Sequence, residues 1–297
     1  MMTRSRTWQL WFLSLILLAG CKDNRKVDDP GNNNTDPVTT FFKDEVRPSQ
    51  SLPCFDGSYY RKVVSSSDKW LGIDAVVVLP HFTFDESRKN ASKPGQYLDN
   101  PSVYLGGSMS GQETDIGLTW EVIRDGSGNV TADRRAFRPF LRRAAYSATS
   151  QQATYENAPA ESQYYWYSGD TVEMSVRLTE DRKLHFVVDG EGKHFEEDFD
   201  CDGYIVGGVG NFKRVNAIDQ VGNEGKPVQP TKMTVTGARW IKTDFFRSYQ
   251  GQVIKVPAHD HRFTDMRCPN QKYFHIAATD QDLLVGAETV DINGAGF

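Results

Sequence analysis

Between Tyr164 and Phe199 the chain reads YYWYSGDTVEMSVRLTEDRKLHFVVDGEGKHFEEDF, and this stretch leaves few folds open. Val172, Met174, Val176 and Leu178 alternate with Thr171, Glu173, Ser175 and Arg177. A period of two turns one set of side chains to a core and the other to water. A polar turn over 179–183 follows, and Leu184, Phe186 and Val188 then resume the apolar face. Asp189-Gly190 is a hairpin signal, and Phe195 and Phe199 return on a third strand. An antiparallel meander of this size cannot cover its own apolar face, so a second layer is required.

The rest of the body continues in the same manner. Residues 59–65, 72–79, 113–123, 212–218, 233–240, 253–256, 273–277 and 287–292 read as strands. Residues 137–141 suit either a strand or a short helical turn. Gly106-Gly107 and the DGSGN run at 125–129 read as turns, and 88–100 and 147–161 as loops. Many short strands with almost no helical periodicity predict an all-β chain, a two-sheet antiparallel sandwich with very little helix.

One part of this pattern goes further. Trp166-x-x-Gly169-Asp170 leading into TVEMSVRL, then LHFVVDG, and a late Gly237-Ala238-Arg239-Trp240 together resemble the concanavalin A-like lectin and glucanase jelly roll. The resemblance covers most of 51–297. It implies a sheet face that binds glycans and, in some members, glycosidase or lyase activity.

The N-terminus addresses the chain. Arg4 and Arg6 precede an apolar core from Trp8 to Leu18, too short to span a bilayer comfortably. Leu17-Leu18-Ala19-Gly20-Cys21 follows and resembles the lipobox of bacterial lipoproteins. That resemblance implies cleavage before Cys21, lipidation of Cys21, and attachment to membrane through that lipid alone. Lys22 follows Cys21 in place of Asp, which favours the outer membrane or cell surface. Residues 21–50, polar and rich in Asn, Asp and Pro, read as a flexible tether, leaving 51–297 as one domain. The net charge is −5, and −7 without Arg4 and Arg6, which argues against nucleic acid as a partner. Cys54, Cys201 and Cys268 allow three single pairings, and none is preferred.

Chemistry has few candidates. Alternation puts Glu113, Asp115, Gly117, Thr119 and Glu121 on one face of a strand, and Ile116, Leu118, Trp120 and Val122 on the other. Carboxylates two residues apart on a strand stand about 7 Å apart at Cα. Glycosidases use paired carboxyl groups across the scissile bond. One jelly-roll glucanase family carries its pair on a strand as Glu-x-Asp-x-(x)-Glu. Here Gly117 and Leu118 stand where the second Glu is expected, and Glu121 lies roughly 27 Å from Glu113 by the strand rise. Tyr165, Trp166 and Tyr167, with Tyr164 before them and Tyr155 nearby, offer rings on which sugars stack. His259-Asp260-His261 suits a polar loop better than a metal site, because no third ligand is assignable. His185 and His194 face one another across the expected hairpin with no evident orienting carboxylate. No GxSxG, P-loop or HExxH is present, and no cofactor or metal is expected.

These features favour a lipid-anchored surface module that binds polysaccharide without catalysis, with Glu113, Asp115, Tyr165, Trp166 and Tyr167 in contact with the glycan. The alternative is a glycan-cleaving enzyme, hydrolase or lyase, working through Glu113, Asp115 or Glu121. A structural envelope lipoprotein is a third reading.

Overall fold

The computed structural model describes residues 53–249, 251–258 and 263–297. The expected signal over 1–20, Cys21, the tether over 21–50, and His259, Asp260 and His261 lie outside the described residues.

In chain order the elements are β1 (Ser58–Ser65), β2 (Trp70–Val78), β3 (His81–Thr83), β4 (Asp99–Met109), β5 (Gln112–Val122), β6 (Arg135–Arg143), β7 (Thr154–Asn157), β8 (Thr171–Glu180), β9 (Lys183–Gly190), β10 (Lys193–Asp200), β11 (Gly210–Gln220), β12 (Thr234–Tyr249), β13 (Gln252–Pro257), β14 (Phe263–Cys268), β15 (Phe274–Ala277), the short helix α1 (Asp280–Leu284) and β16 (Glu288–Asn293). They form two antiparallel sheets. One has seven strands in the order β14-β1-β11-β4-β5-β6-β7. The other runs β10-β9-β8-β2-β12-β16-β15, with β3 and β13 also paired to β12. The chain is an all-β sandwich, as the alternation requires.

Between the sheets lie Trp70, Trp166, Trp240, Phe186, Phe212 and Phe245, each fully buried. Val172, Met174, Val176 and Leu178 of β8 face this core while Glu173 and Arg177 face out, so the expected register holds. Polar groups also tie the layers together. Trp240 Nε1 on β12 donates to Asn216 Oδ1 on β11. Glu288 on β16 takes Arg61 of β1 at 2.8 Å and Arg214 of β11 at 3.0 Å, and all three are buried. A buried carboxylate between two guanidiniums holds the sheets in one relative register, since removing any member strands a charge.

Several local expectations change. The β9–β10 turn is Glu191-Gly192, both with positive φ, and Asp189-Gly190 still belong to β9. Gly106-Gly107 are not a turn but lie inside β4, which turns at Ser110-Gly111. Residues 137–141 are strand, part of β6, and β7 sits within the segment expected to be loop. Of the three possible pairings, Cys54–Cys268 is the disulfide, and Cys201 is a buried thiol pushed up to about 12 by burial.

Candidate active site

Strand alternation on the seven-stranded sheet sends Tyr59, Val63, Val103, Leu105, Ile116 and Leu118 inward. Their neighbours in sequence therefore face away from the second sheet. At the β14–β1–β11 side that outer face is closed by an apolar cluster of Tyr60, Val64, Val215, Ala217, Met266 and Cys268, with Tyr104 packed against it. Beyond it opens a groove of about 620 Å³.

Two glycines shape the floor. Register aligns Lys213 of β11, Gly106 of β4, Asp115 of β5 and Arg142 of β6 in one row. With no side chain on Gly106, Lys213 Nζ crosses β4 to reach Asp115 Oδ1 at 2.7 Å and also bonds Glu113. A Cβ on Gly106 would stand 2.1 Å from the Thr114 carbonyl oxygen, at a φ of +150°. The next row aligns Tyr104, Gly117 and Phe140. Over the bare Gly117 the Tyr104 and Phe140 rings meet edge to face at 5.8 Å, and Phe140 stacks on Tyr155 at 5.6 Å. The floor is thus a line of three rings from β4, β6 and β7, with charges to either side. Phe55 and Val221, both exposed, stand on its rim.

The charges are not equivalent. Burial alone would raise Asp115, but Lys213 and Arg142, the latter 2.6 Å from Oδ2, overturn this and hold its carboxyl below the ordinary value. Asp219, on β11 towards the other end of the groove, is pushed up to about 6 by burial. The Ser102 hydroxyl donates to Asp219 and opposes that rise, while the Asp115 charge adds to it. Below about pH 6 two carboxyl groups lining one groove are therefore held in opposite protonation states, an arrangement typical of an acid and its ionised partner. Lys62 of β1 also lines the groove, and burial followed by the Lys213 ammonium pushes it down to about 8.

Of the residues singled out from sequence, Glu113 and Asp115 line the groove. Glu121 does not: it pairs with Arg138 farther along the strand. Tyr165 and Trp166 are corrected as ligand contacts, because both are 0% exposed, Trp166 in bridge pairing with Phe137 and its indole bonded to the Gly190 carbonyl. Tyr167 is exposed but away from the groove, under Lys193 and bonded to the Asp133 carbonyl. The rings that do line it are Tyr60, Tyr104, Phe140 and Tyr155, with Phe55 at the rim. His185 and His194 do have orienting carboxylates, Asp198 at 2.8 Å and Asp189 at 2.7 Å, on an exposed sheet edge. Asp219 was not singled out, because one carboxylate at a strand end carries no spacing signal.

No family model and no curated protein matches the sequence. Solved structures do. A scytalido-glutamic peptidase bound to a transition state analog inhibitor is similar at 10% identity over 81% of this chain and 100% of that one, with a TM-score of 0.47. An alginate lyase from Klebsiella pneumoniae is similar at 12% identity over 67% of this chain and 60% of that one, TM-score 0.35. SCLam, a non-specific endo-beta-1,3(4)-glucanase, is similar at 15% identity over 63% and 58%, TM-score 0.21. At such distances no neighbour's reaction carries over to this chain. The expectation of a binding module without chemistry is nonetheless corrected. The groove holds two carboxyls of opposed protonation, which passive stacking does not require.

Proposed function

We propose that the groove is the active site of a glycan-cleaving enzyme. The observation that carries this reading is the opposed protonation of Asp115 and Asp219 along one aromatic floor. A sugar chain lies on Tyr104, Phe140 and Tyr155, whose faces take the apolar C–H surface of the rings. Asp219 gives its proton to the glycosidic oxygen as the C–O bond breaks. In a hydrolysis, the attacking water bonds to the anomeric carbon and passes its proton towards the ionised Asp115. Lys213 and Arg142 hold Asp115 in place and in that charge state, and Glu113 shares Lys213.

The test is cleavage of a panel of soluble polysaccharides by wild type, Asp115→Asn and Asp219→Asn, with an unfolded polypeptide included. Loss of glycan cleavage by about a hundredfold or more in both variants, at unchanged melting temperature, is expected. Cleavage of the polypeptide in place of glycans moves the reading to a peptidase, and full activity in both variants removes it.

Within the same reading the jelly-roll likeness of the sandwich and its address belong together. The lipobox ending in Cys21 supports an exported, lipid-anchored protein of the outer membrane or cell surface, with 21–50 as tether and 51–297 as one domain. Mass spectrometry of the mature N-terminus tests this, and an unmodified chain cut elsewhere would sink it.

A further inference from the structure

We infer that the glycan taken by this groove is acidic, and that an acid group on the sugar, a carboxylate or a sulfate ester, docks on the Lys62 ammonium. This rests on the glycan-cleaving reading and names its substrate class. On the Lys62 side of the groove three cations face two anions: Lys62, Lys213 and Arg142 against Glu113 and Asp115. Lys213 is spent on both carboxylates, and Arg142 on the second oxygen of Asp115. Arg143, also on the wall, is spent on the backbone carbonyls of Gln152 and Asp200.

Lys62 is the most loosely paired of these cations. Its nitrogen lies 3.7 Å from Glu113 Oε1, longer than a good hydrogen bond, and its side chain is 20% exposed. The charged and titratable groups that face it are Lys213, Glu113, Asp115 and, on its own strand, Tyr60. Burial and the second ammonium destabilise its charge, pushing it down to about 8. An ammonium so placed gains from one more anion at hydrogen-bond distance, and charge-assisted bonds of this kind are the strong ones. A neutral sugar leaves the deficit in place. The remaining acids of the groove are Asp219 and Glu224, and Asp219 pairs in register with Ser58, four residues along β1 from Lys62.

Binding is measured by calorimetry in an Asp219→Asn background, so that the polymer stays intact. The probes are a polyuronate, a sulfated polysaccharide and a neutral β-glucan, each with Lys62, Lys62→Met and Lys62→Arg proteins. The expected result is that one acidic polymer binds at least tenfold tighter than the neutral one. Lys62→Met removes that advantage, and the polyuronate and sulfate arms identify the acid group. Binding should weaken as pH rises through 8 with Lys62 and stay level with Lys62→Arg, whose charge persists. Equal binding of the neutral polymer, no binding of either acidic one, or no effect of Lys62→Met would overturn the inference. Cleavage of a neutral glycan at an unchanged rate in Lys62→Met would remove this inference and leave the glycan-cleaving reading standing. An acidic polymer held on Lys62 but never cut would do the reverse.

Discussion

Asp115 and Asp219 stand on strands separated by β4 and line the same groove, one held ionised by two cations and the other held protonated up to about pH 6 by burial. Each feels the other, since the Asp115 charge adds to the rise of Asp219. The proton that a leaving group needs is therefore available only while Asp219 keeps it. Activity should be highest below about pH 6 and fall as Asp219 titrates. A rate–pH profile with no descending limb near that value would speak against Asp219 as the donor.

Asp219 also links pH to stability. Its folded value lies above the ordinary 3.8, so the folded state binds the proton more tightly than the unfolded chain. The stability it contributes is present in full below about pH 3.8 and is lost as pH rises through about 6. Asp219→Asn should therefore gain in melting temperature relative to wild type between pH 4 and pH 7.5. Parallel melting curves across that range would show that Asp219 does not carry this linkage.

Gly106→Ala tests the floor. The added carbon meets the Thr114 carbonyl and φ of +150° is strained for any side chain. A loss of about 1–3 kcal/mol is expected, visible in denaturant melts. Because Lys213 crosses at this position, cleavage should drop even at temperatures where the variant is fully folded. Wild-type stability would mean that β4 and β5 part more easily than the structure shows.

Met174→Asp and Glu173→Ala separate the two faces of β8. The first places an unpaired carboxylate among buried side chains and should cost about 3–5 kcal/mol or unfold the domain. The second changes an exposed side chain and should stay within about 0.5 kcal/mol. Similar midpoints in urea for the two would contradict the register.

Cys54→Ser breaks the bridge to Cys268, which joins residues 214 apart and anchors the segment bearing Phe55. A cost of about 2–4 kcal/mol is expected by the restriction of the unfolded chain. A rise in KM with kcat little changed should accompany it, because Phe55 and Gly57 form part of the wall. Unchanged KM would leave the bridge a role in stability alone.

Much of the fold was legible wherever one face of a strand is apolar and the other polar. Val172 to Leu178 and Ile116 to Val122 show that pattern, and both registers hold. The same pattern put Glu113 and Asp115 on one face, and both line the groove. It failed where both faces carry rings: alternation through Tyr164–Tyr167 cannot say which is core, and Tyr165 and Trp166 are both buried. It failed at Gly106-Gly107 because a glycine pair signals a turn and a close strand contact equally well. Tyr155 stood out only as a neighbour of the Tyr164–Tyr167 row, and Asp219 did not stand out at all, for a different reason. Tyr155 sits on a four-residue edge strand and Asp219 near a strand end, and their chemistry exists only through neighbours from β6 and β4.

The Lys213 bridge across Gly106 joins β11 to β5 over about a hundred residues of chain. It cannot form during folding until β4 has paired on both of its edges, and such long-range pairings close slowly. Refolding followed by fluorescence from the buried tryptophans would register collapse of the sandwich first. On the glycan-cleaving reading, recovery of cleavage would trail it by the time β11 takes to dock, so that a partly folded chain cuts nothing.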